Sequence, residues 1–154
     1  MRCTRDDGSL TWQRHTKHAG HFVHHDLTHY AVETTLGYQR GFFGLINEGW
    51  DVDDTTGKGS HGPLPAEAIE AERIVGVFDS ERMSGSLWTL DEFNAYAPRP
   101  ITQEQLLETR ALRGRLFRQW SEVEPRGKLE LQFPTNSFSR SALKAAKPAS
   151  SLSK

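Results

Sequence analysis

The segment FVHHDLTHYAVETTL, residues 22–36, constrains the fold more than any other stretch of the chain. At ~100° per residue, Val23, Leu27, Tyr30, Ala31, Val32 and Leu36 spread over most of a helical circumference. A helix that is apolar on most of its sides is a buried helix. Gly37 follows as a good left-handed C-cap. His25 and His29 stand one turn apart on a face that Val32 and Leu36 continue. Two imidazoles are therefore expected side by side in a packed interior. They belong to a cluster, because His15, His18, His21, His24, His25 and His29 are six of the seven histidines in the chain.

Imidazoles at i and i+4 can converge on one cation, the geometry that the HExxH helix of zinc proteases uses. Asp26 stands in place of the glutamate of that motif. Its side chain is one methylene shorter, which sets it at the metal rather than at a metal-bound water. The expected ligands are His25, His29 and Glu48. Glu48 lies on the next helical segment, beyond a glycine-bounded turn that can fold back antiparallel. Glu33 is i+4 from His29, but the helix rises ~12 Å between positions 25 and 33. It cannot share the ion and is expected to accept an imidazole N–H or to lie beside substrate. His21 joins the candidates if the helix begins early. The expected cofactor is a divalent metal, zinc, with water in its open position acidified for hydrolysis and Asp26 or Glu33 taking the proton. The same residues carry a second reading. The histidines hydrogen-bond within a core, Asp26 favours the positive end of its helix, and the chain is a small non-catalytic domain that binds another protein through loop 51–62 or its tail.

The remaining sequence points to an α+β fold: a small antiparallel sheet, made of an N-terminal hairpin and a late strand, packed on four to five helices. Arg2 to Arg5 and Leu10 to His15 flank the turn Asp6-Asp7-Gly8-Ser9, whose Asp-Gly pair suits a tight primed turn. Tyr38 to Gly41 turn the chain, Phe42 to Trp50 read as a short helix, and Asp51 to Gly62 as an exposed polar loop in which His61 can close over a site. Helices are expected over about 66–82, ended by Gly85, and over about 90–96, ended by Pro98 and Pro100. Thr102 and Gln105 form a capping box for a helix running to about Val123. Leu129, Leu131 and Phe133 alternate and read as the third strand. Residues 1–134 make one domain, and the Ser/Ala/Lys/Pro composition of 135–154 reads as a disordered tail.

Composition excludes several classes. With 19 basic and 20 acidic residues, the net charge of -1 gives no electrostatic drive toward nucleic acid or an anionic membrane. No apolar run approaches the ~20 residues of a membrane span, and the first residues lack the apolar core of a secretory signal. A single cysteine, Cys3, excludes an intramolecular disulfide framework. The expected setting is the cytoplasm and the expected partner a small-molecule substrate; a homo-oligomer is compatible with the sequence. Asp51 to Asp54 resemble the start of a calcium loop, but Thr56 and Gly62 stand where its glycine and bidentate glutamate belong.

The stretch HDLTHYAVETTLGYQRGFFGLINEGWD resembles an uncharacterised group of small bacterial proteins that carry a short hairpin, then HDLxHxxVE and a GFFGL-type segment. The resemblance covers about residues 5–53 and implies no established activity. A weaker one is to coenzyme-Q biosynthesis proteins with an HDxxH motif and a downstream glutamate, which are zinc-associated. His25, Asp26 and His29 match that motif. The downstream glutamate would fall at Gly41, and Glu48 comes seven residues later. The resemblance implies a metal site without implying the quinone pathway.

Overall fold

A computed structural model describes residues 1–14, 19–57 and 61–134. The fold is α+β, with β1 (Arg2–Thr4), β2 (Leu10–Trp12), α1 (Ala19–Leu36), α2 (Phe42–Asn47), α3 (Ala66–Ser84), α4 (Leu90–Tyr96) and α5 (Gln103–Ser121), and a 3-10 turn at Asp54–Thr56. The strands pair antiparallel, with Cys3 opposite Thr11. The turn between them is not the primed one expected: the Gly8 N–H donates to the Arg5 carbonyl at 2.9 Å, which makes Asp6 and Asp7 the central residues, and neither has the positive φ that a primed turn requires. Gly8 has φ +82, a conformation that glycine adopts without strain.

Helix α1 is the centre, and it packs against both α3 and α5. Val32 joins Ala71, Ile74, Val75 and Phe78 of α3, Phe93 of α4 and Leu106 of α5 in one core cluster. Leu27 and Ala31 join Leu116 of α5 in a second. The near all-round apolarity of the segment thus has its cause: it is covered on two sides. It begins at Ala19 rather than near Phe22, which brings His21 onto the helix. At its end Gly37 takes φ +75, and the Tyr38 N–H donates back to the Glu33 carbonyl at 3.0 Å. Capping boxes start α4 at Thr89 and α5 at Thr102.

The hairpin is fastened to the far end of α2. Arg5 is buried, and its Nε donates to the Ile46 carbonyl at 2.7 Å. Its Nη2 donates to the Trp50 carbonyl at 2.8 Å and to Asp51 at 3.0 Å. The Ile46 carbonyl in the last turn of α2 thus accepts from Arg5 as well as from the Gly49 N–H, and Trp50 and Asp51 lie just beyond the helix.

The late strand does not form. Residues 128–133 take no regular secondary structure and pair with neither β1 nor β2, so the sheet has two strands among the described residues. The segment instead lies against the helices. Leu129 packs into the α1–α5 cluster, and the Gln132 carbonyl accepts from the Tyr30 hydroxyl at 2.6 Å. Phe133 stacks on Phe43 at 5.4 Å. A phenol and two aromatic rings hold its place where a ladder was expected. The proposed tail, 135–154, lies outside the described residues, as do His15 and His18.

Candidate metal centre

Helix α1 sets the His25 and His29 rings 4.7 Å apart, inclined at 80°. Helix α3 runs beside it. Glu72 and Asp79 of α3 are seven residues, about two turns, apart and share one stripe. Between them they engage both rings. The Glu72 carboxylate lies 2.8 Å from His29 Nε2 through one oxygen and 3.7 Å from His25 Nε2 through the other. The Nδ1 atoms point to different acceptors. His25 Nδ1 is 2.9 Å from Asp79 Oδ2, and His29 Nδ1 is 3.0 Å from Glu33 Oε1.

His25, His29 and Glu72 each offer one ligand atom, all within 4.8 Å of one another, and together they can hold a metal ion. Zinc takes nitrogen and carboxylate ligands at ~2.0–2.2 Å, so bound ligand atoms stand about 3.3 Å apart. The cluster is close to that spacing already. It also has an access side. The His29 side chain is 5% exposed but that of Glu72 is 60% exposed, so the carboxylate of the group sits at its mouth.

The electrostatics run toward excess negative charge. Three carboxylates, Glu33, Glu72 and Asp79, surround the two imidazoles, and the nearest guanidinium is that of Arg82, 3.6 Å from Asp79 Oδ1. Asp79 Oδ1 and Arg82 Nε are both buried without a hydrogen bond. Burial alone would lower the His29 pKa, but the hydrogen bonds its ring donates to Glu33 and Glu72, with the charges of those carboxylates, outweigh it and raise the value to about 9. The hydrogen bond from His29 holds Glu72 below the usual carboxylate range. Burial would raise Asp79, but the hydrogen bond and charge of His25, with Arg82 and Arg113 behind them, hold it down. Without a metal, therefore, His29 is an imidazolium between two carboxylates.

Glu33 is fully buried. Besides His29 it accepts the Phe42 N–H at 2.8 Å and the Phe43 N–H at 3.0 Å, the first free donors of α2. It stands behind the ring and away from the Nε2 side. Asp26 is half-buried on another face of α1. Its charge acts on Cys3, whose thiol is raised chiefly by burial. It is not one of the three clustered ligands.

Glu48 is not brought to the histidines. Arg40 holds its carboxylate in a fork, with Nε at 2.8 Å from one oxygen and Nη2 at 2.9 Å from the other. The expectation that chain proximity would deliver Glu48 fails because α2 follows the turn with its first backbone N–H groups on Glu33, and Arg40 in that same turn captures the glutamate. Glu72 fills the third place. In sequence it is one of several acids on α3, beside Glu67, Glu70, Asp79 and Glu81, and nothing local marks it.

The other histidines lie outside this group. His21 is exposed, its ring roughly parallel to that of His25 at 6.3 Å. His24 turns its Nδ1 to the Gly20 carbonyl and its ring to Phe117. His61 stacks on Trp50 at 4.9 Å with its Nδ1 2.8 Å from Asp54 Oδ2, which closes loop 51–62 on itself. No helix among the described residues is long and apolar enough to cross a membrane. No protein-family model, no characterised protein and no solved structure matches the chain.

Proposed function

We propose that the chain is a divalent-metal protein whose ion, zinc by the chemistry of the donors, is held by His25, His29 and Glu72. One observation carries this reading. Both Nε2 atoms face a single carboxylate while each Nδ1 is held by a carboxylate of its own. Metal-binding histidines nearly always give their second nitrogen to such an acceptor, which fixes the tautomer and the ring. The surplus of buried negative charge supports a dication over a monocation. Three protein ligands leave one position of a tetrahedral ion open, the arrangement of catalytic rather than structural zinc sites.

The ion's contribution would be to acidify a bound water for hydrolysis of a small-molecule substrate. Glu33 has three N–H groups on its carboxylate and no exposure, which supports an orienting role and disfavours it as the proton acceptor. Asp26, on a neighbouring face of α1, would have to act through water.

Tag-free protein tested by elemental analysis separates the outcomes. One zinc per chain, lost in His25→Ala, His29→Ala and Glu72→Gln, supports the site; activity on model esters that chelator removes and zinc restores supports the hydrolase. A second reading rests on the paired state of His29. Its two hydrogen bonds, at 3.0 and 2.8 Å, satisfy the ring without any ion, as in a structural charge cluster of a non-catalytic, protein-binding domain. No zinc uptake, with His29→Ala strongly destabilising, selects that reading.

A further inference from the structure

Gly41 lies where the chain passes in front of Glu33. Its backbone, φ -75 and ψ -161, is extended and open to any residue, so no dihedral demands glycine. The demand is spatial. A Cβ at 41 would stand 2.6 and 2.7 Å from the two oxygens of the Glu33 carboxylate, nearer than real Cβ atoms come to any neighbour. The carboxylate has nowhere to retreat. It is fully buried, held on one side by the Phe42 and Phe43 N–H groups and on the other by His29 Nδ1. Gly44 differs: a Cβ there would strike the Gln39 carbonyl, a backbone clash with no bearing on the site.

We infer that Gly41 is a positioning residue for metal binding. The missing side chain lets Glu33 close on His29 Nδ1, and that contact aims His29 Nε2 at Glu72. The inference rests on the metal reading and adds a residue that touches no ligand atom. A methyl group at 41 pushes the carboxylate off the ring, which then loses its fixed tautomer and orientation. Loss of such an outer hydrogen bond typically weakens metal binding ~10–100-fold.

The test uses the full chain without a tag and zinc alone, titrated against a chromophoric chelator. Gly41→Ala is expected to weaken zinc binding ~10–100-fold. Nitrogen chemical shifts of the zinc-loaded His29 ring should show the proton on Nδ1 in the parent chain and a loss of that signature in the variant. In a Glu33→Ala background the space is already free, so adding Gly41→Ala should change zinc affinity by less than about twofold. If Gly41 only shapes the turn, its substitution lowers thermal stability, leaves affinity within about twofold and adds fully to Glu33→Ala; that result overturns the inference. Should Gly41→Ala not fold, the Glu33→Ala/Gly41→Ala double variant is compared with Glu33→Ala: equal stability and zinc affinity support the inference, because the only obstacle to a methyl group at 41 is then the Glu33 carboxylate, and a further loss of either overturns it. A parent chain that takes up no zinc overturns the metal reading itself; one zinc per chain with Gly41→Ala unaffected overturns only the positioning role.

Discussion

Helix α3 carries two carboxylates with opposite fates, Glu72 and Glu81. Nine residues separate them, two and a half turns, so they leave the helix on opposite sides. Glu81 is 1% exposed and is answered completely. Arg110 and Arg113 of α5 bind it through their guanidinium groups, and the Trp88 N–H donates to it at 3.1 Å. The same arginines spend their other donors on the Trp88 and Phe78 carbonyls, at 2.6 and 2.7 Å, and the Arg113 guanidinium rests on the Phe78 ring. Its charged partners are permanent cations. Glu72 is half open to water, and its partners are imidazoles, which can give up a proton and take a metal in its place. Guanidinium makes a closed joint between helices; imidazole makes a joint that can be reloaded. The function is therefore sought at Glu72, although Glu81 is the more deeply buried acid.

The contrast can be broken first at its structural pole. Glu81→Ala leaves two guanidinium groups facing each other in the α3–α5 seam, and losing one partner of a buried pair costs about 3–5 kcal/mol. Thermal unfolding should drop by on the order of 10 °C, with zinc affinity of the folded chain unchanged. A drop of only a degree or two would show that the closed joint is not what holds the seam.

The next largest effect is in pH. The His29 pKa is raised from 6.5 to about 9 in the folded, metal-free chain. A raised folded value means its stabilisation is complete below about pH 6.5 and is lost as pH climbs through 9. That loss is on the order of 3 kcal/mol. Zinc displaces the same proton, so zinc-induced stabilisation should rise with pH over this window, as metal–proton competition requires. Denaturant unfolding at pH 6, 7.5 and 9 should show metal-free stability falling with pH and the zinc increment, the difference between the zinc-loaded and metal-free chain, rising by a matching amount. His29→Ala should flatten both, and a metal-free slope that survives in that variant would place the titration elsewhere.

Third, Glu72→Gln should weaken zinc binding by at least ~100-fold, about 2.7 kcal/mol, while metal-free unfolding shifts by no more than about 1 kcal/mol, as befits a solvent-facing pair. Equal zinc affinity in parent and variant would remove Glu72 from the ligand set. The smallest effect belongs to Glu48→Ala, which should leave both unfolding and zinc affinity at parent values, because its exposed pairing with Arg40 is remote from the histidines.

What the sequence made legible was local. The i, i+4 histidines, the left-handed Gly37 and the Thr102–Gln105 box all depend on residues within a few positions of each other, and each is present as read. The hairpin was legible too, but its turn centres on Asp6 and Asp7, with Gly8 the left-handed residue after them. The orienting place of Glu33 was legible too, because helical rise alone separates it from His25. The third ligand was not. Glu72 reaches the site only through the packing of α3 on α1, set by Val32 against Ala71, Ile74 and Val75, and those apolar residues do not disclose which neighbouring acid lands at the imidazoles. Glu48 looked better because it was near in the chain, and a nearer arginine had the prior claim. The same limit explains residues 128–133, where alternation suggested a strand but the segment has no ladder partner and lies against the helices instead.

Helix α2 has only six residues, yet a buried anion, Glu33, accepts from its first N–H groups and a buried cation, Arg5, donates to the carbonyls at and beyond its last turn. Each pole of its dipole meets the opposite charge. The segment is thus clamped electrically at both ends, and one clamp jaw comes from the fifth residue of the chain. An Arg5→Ala substitution would free that jaw, and the slack would pass along α2 to the carboxylate behind His29.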